Sequence, residues 1–252
     1  MVLPLETGII YGPLTSRRLG LSLGINLLPA TVKVCNFDCL YCHYGLTPPQ
    51  TVPTRGLPDA NRVCAAVERA LRSDMRFDSL TFSGNGEPTM HPQFADIVAQ
   101  VKQLRDRWRP QAVLTLYSNA VAVTEPEIRE TLQYFDRPIL KLDTGDARIF
   151  RQLNRPRVDL ALADIIAGLK CVPNVTLQTL LVAGPVSNSS PGALASWQAV
   201  LADIRPAAVQ LYSCDYPVPV ASVERVLPYV LKRIAAGTTA LAGIQVKAYW
   251  IS

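Results

Sequence analysis

The sequence of 252 residues is poor in charge and contains no apolar run of membrane-spanning length. A charged fraction of 18% beside a hydrophobic fraction of 49% excludes an intrinsically disordered chain. No stretch approaches the roughly 18 consecutive apolar residues of a transmembrane helix. The start, MVLPLETGIIYG, lacks the basic region and the apolar core of a signal peptide. We therefore expect a cytoplasmic protein without a membrane partner.

Disulfide scaffolds and basic tails are also excluded. Six cysteines are too few for a disulfide scaffold in a chain of this length, so we expect free thiols or metal ligands. The net charge of +5 gives little support for a nucleic-acid partner, but it is compatible with an anionic substrate. Twenty prolines without a period indicate many short connections rather than a collagen-like or low-complexity chain.

Helical and strand-like patterns alternate from about residue 59 onward. Apolar residues recur with the spacing of amphipathic helices in four segments: 59–72, 92–108, 191–204 and 220–235. Between them lie short apolar runs typical of buried parallel strands, at 79–83, 112–118, 138–143, 175–182, 208–213 and 244–251. Repeated βα units of this kind predict a parallel sheet with right-handed crossovers.

The number of units predicts the architecture. If a first strand lies just before Cys35, six strands are followed by helices or helix-like segments, too few for a complete eight-fold barrel. We therefore predict an α/β fold, a partial (β/α)6 TIM-like barrel, with an open doubly wound sheet as the alternative. We expect a single domain over 1–252, with an N-terminal segment at 1–57 and βα repeats over 58–252. Either architecture places the chemistry at the carboxyl ends of the strands.

Three cysteines form the most specific motif. Cys35, Cys39 and Cys42 are spaced C-x3-C-x2-C on a predicted loop, where three thiolates can approach one metal centre. A closed zinc site needs a fourth ligand. His43 is adjacent to Cys42 and poorly placed for that role, and His91 would have to come from another loop. An iron–sulfur cluster held by three thiolates leaves one iron free for an exogenous ligand. Zinc and iron–sulfur sites both stay open on this spacing.

Further motifs resemble one enzyme superfamily. The segment SGNGEP at 83–88 resembles the Gly-Gly-Glu-Pro loop of the radical S-adenosylmethionine (SAM) superfamily, although Asn85 separates its two glycines. The cysteine triplet, with Tyr41 before its last member, resembles the signature of the same superfamily. Three other stretches are similar to small iron–sulfur oxidoreductases related to the wyosine-forming enzymes of tRNA: SRRLGLSLGINLLP at 16–29, KLDTGD at 141–146 and NRP at 154–156.

The resemblance implies a cofactor and a mechanism. Cys35, Cys39 and Cys42 would hold a [4Fe-4S] cluster, and SAM would chelate the fourth iron through its amino and carboxylate groups. One electron, from a donor of the flavodoxin or ferredoxin type, would split the sulfonium C–S bond into methionine and a 5′-deoxyadenosyl radical. That radical would abstract a hydrogen atom from the substrate.

The resemblance also implies that the loop after the strand at 79–83 binds SAM through its backbone. The expected cofactor-binding residues of this loop are Ser83, Gly84, Asn85, Gly86 and Glu87. For Glu87, the alternative is that its carboxylate holds the loop in place.

Polar residues near other strand ends extend the list of candidates for cofactor binding. Ser118 and Asn119 end the strand at 112–118, where Asn119 either bonds the cofactor or forms a turn. Asn154 and Arg155 follow KLDTGD and could clamp an anionic group. Gln178 lies inside an otherwise apolar strand, where it either satisfies a neighbour or reaches into the barrel.

Lys141 and Asp143 are the expected catalytic residues. They lie two apart in PILKLD and therefore share one face of a strand. A buried lysine needs a partner or a task, so the pair is either a simple ion pair or a site for a carboxylate of the cofactor or substrate.

Arginines and cysteines outside these motifs have no assigned task. Arg17 and Arg18 either form a solvated basic edge or bind a phosphate or carboxylate of the substrate. Cys64, Cys171 and Cys214 are isolated, so we predict no second cluster.

The sequence leaves three functional hypotheses. The first is a radical SAM enzyme, a monomer or small homo-oligomer, acting on a small-molecule or nucleotide-like substrate. The second is an activating enzyme of the same superfamily that forms a glycyl radical in a partner protein, although KLDTGD and SRRLG point away from it. The third is a zinc-stapled binding module without catalysis.

Overall fold

The computed structural model describes residues 2–49 and 56–251, so residues 50–55 of the predicted N-terminal segment lie outside the described residues. The strands are β1 (Ile10–Ser16), β2 (Gly20–Ile25), β3 (Ser79–Phe82), β4 (Val113–Ser118), β5 (Arg137–Lys141), β6 (Thr176–Leu180), β7 (Val182–Ala183), β8 (Ala208–Tyr212), β9 (Glu224–Arg225) and β10 (Val246–Ala248). The α-helices are α1 (Ala60–Leu71), α2 (Phe94–Trp108), α3 (Pro126–Leu132), α4 (Ala147–Leu153), α5 (Leu162–Lys170), α6 (Pro191–Ile204) and α7 (Pro228–Ala242).

One sheet organises the described part of the chain. Its order is β1-β2-β3-β4-β5-β6-β8-β10; β1 pairs antiparallel with β2, and every other neighbouring pair is parallel. Six of the parallel strands are each followed by one or two helices, which confirms the predicted partial (β/α)6 barrel. A short antiparallel pair, β7 and β9, lies apart from this sheet.

The helices and strands form because apolar side chains meet between them. All four residues of β3 are buried, as a parallel strand covered on both faces requires. Helix α1 buries Val63 and Val67 on one face, and it begins where the carboxylate of Asp59 accepts a hydrogen bond from the amide of Arg62 at 2.8 Å.

Contacts across the sheet show that it curves. The turn between β1 and β2 lies at one edge, yet Arg17 Nη1 reaches Asp215 Oδ2, after β8, at 2.6 Å. From the same turn, Arg18 Nη1 donates to Gln178 of β6 and Gln210 of β8, both at 3.2 Å. These bonds cross the concave side, as they can only in a sheet rolled toward a barrel.

The structure corrects several predicted boundaries. The helix predicted at 220–235 is wrong in position, because the helix begins at Pro228 and residues 224–225 form β9. Pro228 suits the first helical turn, where its missing N–H costs nothing, whereas a proline in the middle of the predicted helix would break it. The strand expected just before Cys35 is β2, which ends earlier, at Ile25. The closing strand covers only Val246–Ala248 of the predicted 244–251.

No helix among the described residues is long and apolar enough to cross a membrane. The predicted division into an N-terminal segment and a repeat region within one domain stays a prediction.

Candidate functional site

A cavity of about 380 Å³ opens at the carboxyl ends of the parallel strands. Its wall includes the last residues of β4, β5, β6 and β8, which are Ser118, Lys141, Leu180 and Tyr212. The three cysteines of the C-x3-C-x2-C motif, Cys35, Cys39 and Cys42, line the same cavity. The structure thus brings the cysteine motif to the end of the sheet where the sequence predicts the chemistry.

The cysteine loop is fixed on two sides by backbone hydrogen bonds. On one side, the amide of Val34 donates to the carbonyl of Asn85 at 2.9 Å, and the amide of Glu87 donates back to Val34 at 2.9 Å. On the other side, the amide of Leu40 donates to the carbonyl of Leu153, at the end of α4, at 3.0 Å. The cysteines are therefore held between the glycine loop and the end of α4.

The sulfur atoms lie among hydrogen-bond donors and near positive charge. Burial raises the pKa of the Cys35 thiol to about 12 and that of Cys39 to about 11. The positive charge of Lys33 partly offsets this effect at Cys35, and that of Lys141 does so at Cys39. The amide of Phe37 lies 3.5 Å from Cys35 Sγ, and Asn154 Nδ2 lies 3.5 Å from Cys39 Sγ.

Asn119 Nδ2 is a third hydrogen-bond donor, 3.7 Å from Cys35 Sγ. Three donors and two cations therefore surround the thiols, and such groups stabilise the negative charge of thiolates bound to a soft metal centre. The residues therefore fit an iron–sulfur cluster. Within 2–49 and 56–251, no three His, Cys, Asp or Glu side chains form a ready-made site for a metal ion.

The glycine loop depends on its glycines because the chain itself approaches them. Gly86 has a φ of +146°, and a Cβ there would lie 1.7 Å from the carbonyl oxygen of Val34. Gly84 has a φ of +124°, and a Cβ would lie 2.7 Å from Asn26 Oδ1. These glycines let the loop pack against the residue before Cys35 and against the end of β2.

Asn85 and Glu87 turn their side chains into the protein. Asn85 is fully buried, and its Nδ2 donates to the carbonyls of Glu6 and Pro29. Glu87 Oε2 accepts from the amide of Asn119 at 2.6 Å, and its Oε1 accepts from Thr89 Oγ1 at 2.8 Å. The contacts of Glu87 match the alternative that it holds the loop; any direct contact with SAM stays a prediction.

The remaining strand-end candidates also bond within the chain. Ser83 hydrogen-bonds Tyr11. Ser118 Oγ accepts from the amide of Ala120 at 3.1 Å, and Asn119 Nδ2 donates to Asn36 Oδ1 at 2.5 Å. Ser83, Ser118 and Asn119 all line the cavity, so they stay candidates for cofactor binding.

Lys141 and Asp143 form the buried ion pair that the sequence allows. Lys141 Nζ lies 3.3 Å from Asp143 Oδ1, and its charge also faces the rings of Tyr41 and Tyr212 at 5.0 and 5.8 Å. Burial lowers the pKa of Lys141, but the Asp143 carboxylate and Tyr212 outweigh it and raise that pKa above its usual value. Lys141 is therefore a cation at neutral pH.

Both carboxylate oxygens of Asp143 accept two hydrogen bonds each from other residues. Its Oδ1 accepts from the amide of Leu180 at 2.8 Å as well as from Lys141, and its Oδ2 accepts from Asn154 Nδ2 at 2.8 Å and from the hydroxyl of Tyr41. This carboxylate joins the end of β5 to the cysteine loop. Its geometry is that of a group that positions others.

The other candidates separate into those near the cavity and those away from it. Gln178 lines the cavity and accepts from Arg18 at 3.2 Å. Asn154 lies behind the cavity wall, bonded to Asp143. Arg155 is not brought to the cavity; its side chain is 46% exposed and lies 3.5 Å from Asp38.

One of the two histidines and one of the isolated cysteines line the cavity. His91 Nε2 is bonded to the carbonyl of Pro58 at 2.9 Å, away from the cysteines. His43 lines the cavity and packs against the ring of Tyr44 at 4.5 Å. Of the isolated cysteines, Cys214 lines the cavity, whereas Cys64 lies on α1.

Several residues that line the cavity are not among the predicted candidates, above all Tyr117 and Tyr212. Both lie at the ends of strands, in the repeated tripeptides Leu-Tyr-Ser at 116–118 and 211–213. That repeat at two strand ends was a usable signal. Tyr11 and Lys33, from the segment before the cysteines, carry no comparable signal.

Comparison with known proteins identifies the family. The family model described as the radical SAM superfamily matches residues 31–182, which include the cysteine loop, the glycine loop and β3 to β6. The chain belongs to the radical SAM superfamily. Membership confirms the resemblance inferred from the motifs, and the superfamily implies an iron–sulfur cluster and SAM.

Two curated relatives and two solved structures are similar to this radical SAM chain. UPF0026 protein MJ1312 of Methanocaldococcus jannaschii is 36% identical over 64% of this chain and 48% of its own length. The UPF0026 protein of Helicobacter pylori strain 26695 is 30% identical over 83% of this chain and 67% of its own. The chain therefore spans about half the length of the first of these relatives.

The solved structures show the fold. A radical SAM methyltransferase from Sphaerobacter thermophilus superposes with a TM-score of 0.67 at 15% identity, over 91% of this chain and 66% of that one. TYW1, a wyosine-forming enzyme solved with a lysine-pyruvate adduct bound, superposes with a TM-score of 0.63 at 11% identity, over 87% and 73%.

Proposed function

We propose that the chain holds a [4Fe-4S] cluster through Cys35, Cys39 and Cys42 and cleaves SAM reductively to start a radical reaction. The substrate is a small molecule or a nucleotide-like molecule. The observation that carries the proposal is that three cysteines and the glycine loop line one cavity at the carboxyl ends of the strands.

The cluster and SAM would supply the chemistry, and the chain would provide their binding site. When bound, the cluster and SAM supply a one-electron cleavage that gives methionine and a 5′-deoxyadenosyl radical able to abstract a hydrogen atom from the substrate. A one-electron donor of the flavodoxin or ferredoxin type supplies the electron, and the cytoplasm is the proposed setting. The chain's tasks are to bind and orient the cofactor and the substrate and to exclude water from the cavity.

Lys141 and Asp143 have different roles in orienting the bound molecules. Lys141 presents a permanent positive charge to the cavity and can bind a carboxylate of the cofactor or of the substrate. Asp143 is a positioning residue, because it holds Lys141, Tyr41 and the amide of Leu180 at once. The rings of Tyr41, Tyr117 and Tyr212 line the cavity and displace water from it.

Anaerobic reconstitution with iron and sulfide tests the cluster. We expect a brown protein that forms 5′-deoxyadenosine from SAM when a reductant is added, measured by absorbance and mass spectrometry. Cys35→Ser, Cys39→Ser and Cys42→Ser should each lose both the colour and the product. Cys64→Ser is the matched control, since Cys64 lies on α1 and outside the cavity lining; it should keep both.

Two results would contradict the proposal. A colourless protein that binds one zinc ion tightly would favour the zinc-stapled module. A cluster that forms equally well in the Cys39→Ser variant would show that the ligands lie elsewhere.

A further inference from the structure

Arg18 reaches into the cavity from the turn between β1 and β2. Its guanidinium carbon lies 4.7 Å from the ring centroid of Tyr117 and 4.8 Å from that of Tyr212. Its Nη1 donates to the side-chain oxygens of Gln178 and Gln210, both at 3.2 Å. Residues from β4, β6 and β8 thus hold one arginine in a fixed orientation inside the barrel.

The charge of Arg18 is not neutralised as that of its neighbour is. Arg17 lies 2.6 Å from the carboxylate of Asp215. Arg18, by contrast, has no carboxylate within ion-pair distance among residues 2–49 and 56–251, and its partners Gln178 and Gln210 are neutral amides. A guanidinium held by uncharged groups keeps its full charge for a ligand.

One edge of the guanidinium is left open. Both amide oxygens bond Nη1, while Nε and Nη2 have no hydrogen-bond partner in the described part of the chain. Nε and Nη2 together form the two-pronged edge that binds both oxygens of a carboxylate or phosphate. Arg18 lines the same cavity as the cysteines, so an anion there lies in the space where the substrate must be.

We propose that Arg18 binds an oxyanion of the substrate, a carboxylate or a phosphate, through its Nε–Nη2 edge. The substrate of the proposed radical reaction is therefore anionic. The substrate assignment rests on the proposed function, whereas the anion site rests on the contacts of Arg18 alone.

Calorimetric titration at constant ionic strength tests the site with two probes, inorganic phosphate and acetate. The protein is reconstituted, kept anaerobic and saturated with SAM without reductant. We expect at least one probe to bind, and Arg18→Gln to weaken it about tenfold or more, because a charge-assisted bidentate contact is lost. Arg18→Lys should restore binding in part, since an ammonium keeps the charge but not the planar edge. The probe that responds more strongly identifies the oxyanion.

Arg72→Gln is the matched control. Arg72 also lies 4.7 Å from an aromatic ring, that of Trp108, but it lies on the surface at the end of α1. The Arg72→Gln variant should therefore bind phosphate and acetate as the wild-type protein does. SAM affinity and the melting temperature should stay unchanged in Arg18→Lys, which separates loss of the site from loss of the fold.

Three results would overturn the inference. These are a wild-type protein that binds neither probe, an Arg18→Gln variant that binds both as well as wild type, and a variant that loses SAM affinity instead. The proposed function can fail separately: if no cluster forms, the same titrations on the metal-free chain still test Arg18.

Discussion

Lys141 is the residue at which a structural and a functional role are hardest to separate. It makes an ion pair with a fully buried carboxylate, which is typical of a structural contact, yet it also lines the cavity. The surroundings of Asp143 separate the two roles. Without the lysine, this carboxylate would still accept hydrogen bonds from Tyr41, Asn154 and the amide of Leu180.

We therefore predict that Lys141→Met keeps the fold and the brown colour but lowers 5′-deoxyadenosine formation about tenfold or more. The three remaining donors keep Asp143 hydrogen-bonded, so the variant should fold, but its melting temperature should fall because the buried carboxylate loses its cation. Lys141→Arg should recover part of the activity, because its charge is kept and its donor geometry is not. Product analysis beside a thermal melt is the measurement. Full activity in Lys141→Met, or its failure to fold, would make the residue structural.

The residues of the site were predictable where their chemistry is local. The cysteine triplet and the glycine loop are each a short contiguous segment of the sequence, and the structure brings both to one cavity. Arg18 was predicted either to lie on a solvated basic edge or to bind a phosphate or carboxylate of the substrate, but its partners Gln178 and Gln210 lie 160 and 192 residues away. No spacing rule connects such positions, because they meet only when the sheet curves.

At the level of helices and strands, length explains much of what the sequence could predict, although the 15-residue helix α7 begins eight residues later than predicted. Helices α1, α2 and α6 have 12 to 15 residues and appear close to their predicted positions. The shorter helices α3, α4 and α5, of seven to nine residues, were not individually predicted. A helix of about two turns shows too little of the 3.6-residue period for its sequence to be distinguished from that of a loop.

Two glycines in helices predict opposite effects of the same substitution. In α5, a Cβ on Gly168 would lie 2.8 Å from the carbonyl oxygen of Val123. In α7, a Cβ on Gly237 would meet nothing within 4 Å. Alanine is the better helix former at both positions, so packing alone distinguishes them.

We predict that Gly168→Ala lowers the free energy of unfolding by about 1 to 3 kcal/mol, because the turn at 121–124 must move away from α5. Gly237→Ala should raise it by about 0.5 to 1 kcal/mol through helix propensity alone. Urea denaturation of both variants beside wild type measures the difference. Stabilisation by Gly168→Ala would mean that the contact between α5 and this turn is loose.

At the scale of the whole molecule, a charged contact links the two sides of the curved sheet. The carboxylate of Asp215, after β8, is 3% exposed and lies 2.6 Å from Arg17 and 2.7 Å from Arg225. Arg17 belongs to the turn that starts β2, so this contact holds the β1–β2 hairpin over the cavity. Neither the period of the strands nor their number predicts this contact, because Asp215 lies in a connecting loop and meets Arg17 only in the folded sheet.

We predict that Asp215→Asn loosens the turn between β1 and β2 together with the edge strand β1, while the parallel sheet, which includes β2, stays folded. The free energy of unfolding should fall by about 1 to 2 kcal/mol, since both arginines are about one-third exposed and water can solvate them afterwards. Hydrogen–deuterium exchange should accelerate over residues 10–19, which are β1 and the turn, and stay unchanged in β3 and α2. Asp203→Asn is the matched control. It breaks an exposed pair with Lys170 and should change stability by no more than about 0.5 kcal/mol. Unchanged exchange over 10–19 in Asp215→Asn would show that the other contacts of this turn keep it in place, and that the position of Arg18 does not depend on Asp215.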